Sequence, residues 1–289
     1  MERILVGTDG SECSAHAVRW AHCEAELRRL PLVAVIAWNA PDDPHARLGE
    51  RSPTHHCEVD ALRALERYLE QALGRDAAEG VERRAVWDLP GPGLVNAAVG
   101  ATLLVVGPRG LGPLRGALLG SVSQHCLQHA PCPVAVVRPH DPAPEDAPGR
   151  IIVGIDGSPP SQHALRWAIG EARIRGAAVE VVHAWTLPLL GAAVDATLSF
   201  DPRSIEDAAR GTMAAAVASE DTSGLAHGVR QRLVVGSGAS SLLDASEGAD
   251  LLVVGSRGMG GFRGFLLGSV SLQVAHHATC PVVVVPTAP

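Results

Sequence analysis

Two glycine-rich segments with identical spacing are the residues of this chain best suited to bind a ligand. Each has two glycines separated by two residues, then nine residues, then a Gly-Ser pair. The segments are Gly107-Pro-Arg-Gly110 with Gly120-Ser121, and Gly255-Ser-Arg-Gly258 with Gly268-Ser269. Glycine lets backbone N–H groups approach a ligand closely, and each Gly-Ser pair opens a predicted helix, whose free N–H groups favour an anion. The segments therefore predict a phosphate cradle built from main-chain amides.

This cradle differs from the two common phosphate-binding motifs. All 24 basic residues of the chain are arginine, so no lysine can contact phosphate. The spacing matches neither GxGxxG nor the Walker pattern. Hydroxyls of Ser121 and Ser123 would add donors. The alternative is that Gly107 and Gly120 merely permit tight connections, but their placement between a strand and a helix favours binding.

An aspartate follows the first predicted strand of each half. Asp9 and Asp156 lie in Asp-Gly-Ser turns. In open α/β sheets, ligands bind beyond the carboxyl ends of the strands, where the winding reverses. Each aspartate is either a catalytic acid or a turn residue that also accepts hydrogen bonds from a ligand, and the turn favours the second role. His16 and His163, at equivalent helix positions, are more simply helix histidines than a base or metal ligand, and no metal site is predicted.

The chain is an internal duplication. The segment Arg3-Ile-Leu-Val-Gly-Thr-Asp-Gly-Ser11 recurs as Arg150-Ile-Ile-Val-Gly-Ile-Asp-Gly-Ser158, and four further segments recur at nearly the same offset. A period this long indicates a duplicated domain rather than a solenoid. We expect one domain over residues 1–139 and a second over 150–289, joined by a proline-rich, acidic linker over 140–149.

Each half must position its loop on alternating strands and helices. Apolar runs predict strands over 3–8, 32–38, 81–87, 102–107 and 133–138, and helical spacing predicts helices over 14–30, near 56–79, over 93–99 and from Ser121. The second half repeats the pattern. Fully apolar strands separated by helices indicate a parallel sheet covered on both faces. Right-handed crossovers then give a doubly wound α/β domain in each half.

Composition excludes several functional classes. The formal net charge is -7 and no basic stripe is apparent, so a nucleic-acid partner is not expected. No apolar run is long enough to span a membrane, and the N-terminus lacks the features of a signal peptide. The six cysteines form no CxxC pair and five lie in the first half. This pattern favours reduced thiols and a cytoplasmic location.

The loop spacing after a Val-Val-Gly strand, together with the V-G-x-D-G-S start, resembles the nucleotide-binding branch of the universal stress protein family. The resemblance covers nearly the whole chain, twice. It implies two five-stranded sheets of the adenine nucleotide alpha hydrolase type, with strand order 3-2-1-4-5. It also implies antiparallel pairing of the last strands, here Val134–Arg138 with Val282–Val285, and a homo-dimer as the expected assembly.

The resemblance further implies ATP as the ligand of each half. In ATP-binding members the aspartate contacts the nucleoside, a small residue at the end of strand two lies against adenine, and the loop with its hydroxyls holds ribose and phosphates. The matching residues are Gly7, Asp9, Ala37, Val106, Gly107, Arg109, Gly110, Gly120, Ser121, Val122 and Ser123, and in the second half Gly154, Asp156, Ala184, Val254, Gly255, Arg257, Gly258, Gly268, Ser269, Val270 and Ser271. We expect Mg²⁺ to arrive with the phosphates, because no dedicated protein cage is apparent.

The first half departs from the family pattern at one position. Pro108 stands where the second half has Ser256, and proline removes one N–H donor. Pro108 therefore either weakens the first site or pre-organises it.

The favoured function is a nucleotide-dependent stress-response regulator with little or no hydrolysis. A slow ATPase or phosphotransferase is the enzymatic alternative, with Asp9, Asp156 or a loop arginine as its candidate groups. A nucleotide-free dimerising scaffold and a sensor of AMP or cyclic AMP remain open.

Overall fold

The computed structural model describes residues 2–38, 58–110, 119–139, 149–186, 202–258 and 267–287. Its contacts divide the chain into two compact units. The first contains Met1–His140 and Ala275–Pro286, and the second contains Asp141–Val274 and Thr287–Pro289. Most of the predicted linker, residues 140–148, lies outside the described residues, so the domain limits at 139 and 150 stay a prediction.

The first unit carries six of the described strands. Those of the first repeat are β1 (Ile4–Gly7), β2 (Leu32–Ala37), β3 (Glu82–Val86), β4 (Leu103–Val106) and β5 (Val134–Val136). The helices are α1 (Glu12–Arg28), α2 (Glu58–Leu73), α3 (Arg75–Glu79), α4 (Pro90–Ala97) and α5 (Ser121–His129). The strands run parallel in the order β3-β2-β1-β4-β5. The predicted fold class and the strand order 3-2-1-4-5 are confirmed in this unit.

The last strand of the chain completes the sheet of the first unit. This strand, β10 (Val282–Val285), pairs antiparallel with β5, with Val282 opposite Val136 and Val284 opposite Val134. The predicted pairing of the two last strands is therefore present within one chain.

The second unit repeats the architecture in its described residues. Its strands are β6 (Arg150–Ile155), β7 (Ala178–Trp185), β8 (Val229–Val235) and β9 (Leu251–Gly255). Its helices are α6 (Pro159–Arg175), α7 (Pro202–Ala218) and α8 (Gly238–Ser246), and α9 (Ser269–His277) begins in this unit. The strands are parallel in the order β8-β7-β6-β9, which matches β3-β2-β1-β4.

The central strands are buried because both faces of the sheet are covered. Every residue of β1, β4 and β9 is buried, as expected for parallel strands without a solvated face. The helices that follow β1 and β6 begin at N-caps Ser11 and Ser158, whose side chains accept hydrogen bonds from backbone N–H groups three residues on. These caps fix where each strand ends and each helix begins.

One predicted helix is divided in two. The sequence predicts a single helix near residues 56–79, of which 56 and 57 lie outside the described residues. The structure ends α2 at Leu73 and starts α3 at Arg75, because Gly74 adopts a φ of 85°. Glycine reaches this left-handed region without steric cost, and it commonly ends helices. The helix predicted over 93–99 also begins earlier, at Pro90, where proline suits the first helical turn.

Candidate functional site

A cavity of about 340 Å³ opens in the second unit at the carboxyl ends of β6, β7 and β9. The amino end of α9 forms another wall. The volume falls in the range of small-molecule sites, and the location is the edge of a doubly wound sheet where ligands bind. The volume and the location together make this cavity the candidate ligand site.

The structure brings all the second-half site residues predicted from the sequence to this cavity. They are Gly154, Asp156, Ala184, Val254, Gly255, Arg257, Gly258, Gly268, Ser269, Val270 and Ser271. Their contact with a ligand stays a prediction. Five further lining residues were not predicted: Ile155, Ser161, Val182, Gly238 and Leu242. Val182 could have been found from its alternation with Ala184 along the strand, whereas Gly238 and Leu242 come from a helix distant in sequence.

The glycine loop of the second unit is closed by hydrogen bonds at its ends. The backbone N–H of Gly268 donates to the carbonyl of Ser256 at 2.7 Å. The hydroxyl of Ser271 donates to the carbonyl of Gly255 at 2.6 Å. These bonds hold the start of α9 against the end of β9, so that the first helical amides and the exposed Ser269 lie at the cavity.

The first unit closes its loop in the same way. The N–H of Gly120 donates to the carbonyl of Pro108 at 2.8 Å, and the hydroxyl of Ser123 donates to the carbonyl of Gly107 at 2.7 Å. Pro108 therefore lacks an N–H donor but keeps the carbonyl contact that Ser256 makes. The segment between the ends, residues 111–118, lies outside the described residues, as do 259–266 in the second unit.

The serine hydroxyls at the start of α5 and α9 have different roles. A serine hydroxyl carries one proton, and Ser123 and Ser271, both buried, give theirs to loop carbonyls. They can only accept further hydrogen bonds, so the prediction that Ser123 adds a donor for a ligand is not supported by its geometry. Ser121 and Ser269 are exposed at the first helical positions, and they are the hydroxyls that face solvent. The N-cap Gly120 supplies no side-chain cap.

Each site aspartate is held in its turn and contacts the glycine loop. Oδ1 of Asp9 accepts the N–H of Ser11 at 3.0 Å. Oδ1 of Asp156 accepts both the N–H of Ser158 at 3.0 Å and its hydroxyl at 2.5 Å. In both units the other carboxylate oxygen lies where a Cβ on the second loop glycine would be, at Gly110 and Gly258. Glycine at these two positions therefore allows the aspartate and the loop to meet.

Other predicted residues of the first unit lie along the same strand edge. Gly7 ends β1, and a Cβ there would lie 2.5 Å from Cδ1 of Leu94, so its role includes helix packing. Val106 ends β4 and Ala37 ends β2. Arg109 is half-buried, and a Cβ at Gly120 would lie 3.4 Å from its Cα. Val122 is half-buried in the first turn of α5.

The arginine of the second loop bonds within its own unit. Arg257 is exposed, and its guanidinium donates to the hydroxyl of Thr287 at 3.0 Å. Thr287 thereby orients the guanidinium at the rim of the cavity that Arg257 lines. A planar guanidinium is suited to paired contacts with phosphate oxygens.

The described residues provide no ready-made metal cage. Among them, no group of three His, Cys, Asp or Glu side chains is arranged to hold a metal ion. The His55-His56-Cys57 segment lies outside the described residues. No helix within the described ranges is both long and apolar enough to cross a membrane.

Comparisons with known proteins agree on one family. The family model described as "Universal stress protein family" matches residues 1–138 and 148–286. A universal stress protein of Mycobacterium tuberculosis strain H37Rv is 37% identical over 297 residues, covering 97% of this chain and 95% of that protein. One of Mycolicibacterium smegmatis is 34% identical, covering 98% and 96%. The crystal structure of a universal stress protein from Archaeoglobus fulgidus is similar in fold, with a TM-score of 0.68 at 20% identity, covering 99% of this chain and 98% of that one.

Proposed function

The chain belongs to the universal stress protein family, as a member with two copies of the family domain, and from that premise we propose that each copy binds one ATP. In this proposal the chain is a cytoplasmic regulator of a stress response. Its activity depends on the bound ATP, of which it hydrolyses little or none. Association of two chains into a homo-dimer is part of the same proposal. Nucleic acid and membrane are not among its partners.

The single observation that carries this proposal is the cavity of the second unit. Residues predicted from the loop spacing and from the family resemblance converge on one opening of about 340 Å³. If the glycine loop only connected a strand to a helix, it would not be expected to contact the strand-one aspartate at an open cavity. The convergence of loop, aspartate and helix start supports a bound small molecule with an anionic end.

The phosphates would lie at the amino end of α9. Free helical N–H groups and the hydroxyl of Ser269 would donate to phosphate oxygens, and the guanidinium of Arg257 would offset their charge. Mg²⁺ would be held mainly by the phosphates themselves and by water, which is usual for this ion. The chain's own contribution would therefore be orientation by main-chain donors.

The nucleoside would lie along the strand ends. The carboxylate of Asp156 would accept hydrogen bonds from ribose hydroxyls. Ala184 leaves room for a planar base on the strand surface, and Val182 and Leu242 provide apolar contacts around it. In the first unit Asp9 and Ala37 would have these roles.

The site supports binding better than turnover. Each aspartate already accepts a backbone N–H in its turn, which supports a role in orientation rather than as a general base. Bound ATP would act by stabilising one arrangement of the chain or of its partner surface over another.

Calorimetric titration with ATP, ADP, AMP and cyclic AMP tests the proposal. The intact chain should bind two ATP molecules. Gly110→Val and Gly258→Val, which place side-chain atoms where the aspartates lie, should each reduce the stoichiometry to one. Absence of binding at about millimolar nucleotide would refute the proposal. Phosphate release above a blank, abolished by Gly120→Ala, would instead favour the slow ATPase.

A further inference from the structure

A chain of hydroxyl groups in the first unit begins and ends on the turn that carries Asp9. The N–H of Gly10 donates to Oγ1 of Thr8 at 3.2 Å. The hydroxyls of Thr8 and Ser14 are 2.9 Å apart, and those of Ser14 and Tyr68 are 2.7 Å apart. The phenol of Tyr68 donates to the carbonyl of Ser11 at 2.9 Å. Thr8 to Ser11 is the turn itself, so Tyr68 closes a ring of hydrogen bonds around it.

The proton count of this ring is consistent. Each hydroxyl has one proton to donate and can accept from others. Thr8 donates to Ser14, Ser14 to Tyr68, and Tyr68 to the carbonyl of Ser11. The Ser14 hydroxyl also lies 2.8 Å from the carbonyl oxygen of Ser11. When Ser14 donates its proton to that carbonyl, the phenol of Tyr68 donates to the Ser14 hydroxyl instead, so Tyr68 is hydrogen-bonded in both arrangements. Hydrogen bonds linked in this way strengthen one another in a site of low dielectric.

Tyr68 reaches the turn from a different element. It lies on α2, which packs through the fully buried Leu65 and Leu69. Thr8 and Ser14 are themselves buried and Tyr68 is half-buried, so the ring is partly shielded from solvent. Burial raises the pKa of Tyr68, and the charge of Asp9 raises it further.

The second unit holds its aspartate without such a residue. Ile155 occupies the position of Thr8, and Tyr68 is the only tyrosine in the sequence. There the hydroxyl of Ser158 donates directly to Asp156, and the hydroxyl of Ser161 donates to the carbonyl of Ser158 at 2.8 Å. Both turns are fastened by their own residues, and the first is fastened in addition by Tyr68 from α2.

We propose that Tyr68 is a positioning residue for the first nucleotide site, acting through the turn that orients the Asp9 carboxylate toward the nucleoside. The inference rests on the proposed function, since it concerns the first of the two ATP sites. It makes the two sites unequal in a defined way. Affinity at the first site depends on the docking of α2, and affinity at the second does not.

The test is a double-mutant cycle measured in a parent that binds only at the first site. Gly258→Val provides that parent. Tyr68→Phe removes one hydroxyl, and we expect the dissociation constant for ATP to rise about two- to tenfold, the range for one neutral hydrogen bond. If the phenol acts through the carboxylate, this loss should disappear when Asp9→Ala is also present. A merely structural contribution would add to the Asp9→Ala loss instead.

The matched control lies on the same helix. Glu66 pairs with Arg83 at 3.8 Å and has no role in the ring. Glu66→Gln should therefore leave the ATP affinity of the parent unchanged. Urea unfolding of each variant, followed by tryptophan fluorescence, identifies any loss of affinity that is caused by partial unfolding.

A second readout uses the single tyrosine in the chain that retains both sites. Ultraviolet titration of the phenol, with and without ATP, should show ionisation at higher pH when the first site is filled, because phosphate charge and loss of water both disfavour phenolate. This inference alone is overturned if the parent binds ATP, the phenol titration is the same with and without ATP, and Tyr68→Phe does not change the dissociation constant. A chain that binds no ATP in any variant overturns the proposed function, and this inference with it.

Discussion

Replacement of Gly255 by alanine should damage the second unit far more than the equivalent change damages the first. Gly255 ends β9, and a Cβ on it would lie 2.7 Å from the carbonyl carbon and oxygen of Pro160 in the first turn of α6. At the equivalent Gly107 the nearest atoms are the carbonyl oxygen and carbon of Cys13, at 3.2 and 3.3 Å. Both neighbours are backbone atoms, but the first distance is shorter than contacts that carbon atoms tolerate.

The size of the stability loss depends on which elements must move to accommodate the added Cβ. Pro160 lies in a capped helix, so either the helix or the strand must shift, and forced overpacking of this kind costs about 1–3 kcal/mol. The contact at Gly107 needs a shift of only a few tenths of an ångström, so we expect a cost below about 1 kcal/mol there. Movement of α6 also displaces Ser158, which holds Asp156. Gly255→Ala should therefore weaken ATP binding at the second site as well.

Urea unfolding and ATP titration of both variants provide the assay. A two-unit protein need not unfold in one step, so each transition is compared with the same transition of the unsubstituted chain. Gly255→Ala should lower the midpoint of one transition and lose most binding at one site, while Gly107→Ala retains both sites. Equal behaviour of the two variants would refute the reasoning, because it would mean that α6 and β9 are not in the contact described above.

Two further predictions concern titratable groups. Burial, together with neighbouring cationic side chains, lowers the pKa of His276, whose Nδ1 accepts the N–H of Leu119 at 3.3 Å. Folding therefore favours the neutral ring, so stability should fall as the pH falls below about 6.5, where the unfolded chain gains the proton. His276→Asn should flatten the pH dependence of the urea midpoint, and an unchanged slope would contradict this assignment. Burial raises the pKa of Cys126 to about 12 and that of Cys132 to about 11, so a thiol reagent at about pH 8 should modify the exposed Cys23 first and these two only after unfolding. Mass spectrometry of the modified peptides distinguishes the order.

The sequence was sufficient for the features that depend on glycine and on repetition. Gly110 and Gly258 were predicted from the loop spacing, and the structure adds that a Cβ at either position would meet the aspartate carboxylate. The parallel sheet could be predicted because continuous apolar strands are separated by helices, and its strand order was expected from the family resemblance. Pairing of β5 with β10 was expected from the family resemblance, and the register of Val136 with Val282 was added by the structure.

Other features could not be predicted from the sequence, mainly those formed by residues far apart in the chain. Leu242 reaches the cavity wall from α8, and no local pattern distinguishes it from an ordinary core leucine. The break at Gly74 was missed because a single glycine within a helical pattern is often tolerated, and the positive φ is visible only in the structure. Ser123 was predicted to donate to a ligand because the sequence does not show that the carbonyl of Gly107 takes its proton.

A comparison of the two copies shows which parts of the candidate site are the same and which differ. Both keep the loop glycines and the strand-one aspartate, and in both a Cβ on the second loop glycine would meet the aspartate carboxylate. The means of holding the aspartate have diverged: in the second copy Ser158 donates to the carboxylate itself, and in the first Tyr68 fastens the turn from α2. The bond from Ser158 lies within the turn, whereas the bond from Tyr68 requires that α2 be docked against the turn. Any partner or ligand that shifts α2 is therefore expected to disturb the hydrogen bond by which Tyr68 fastens the Asp9 turn.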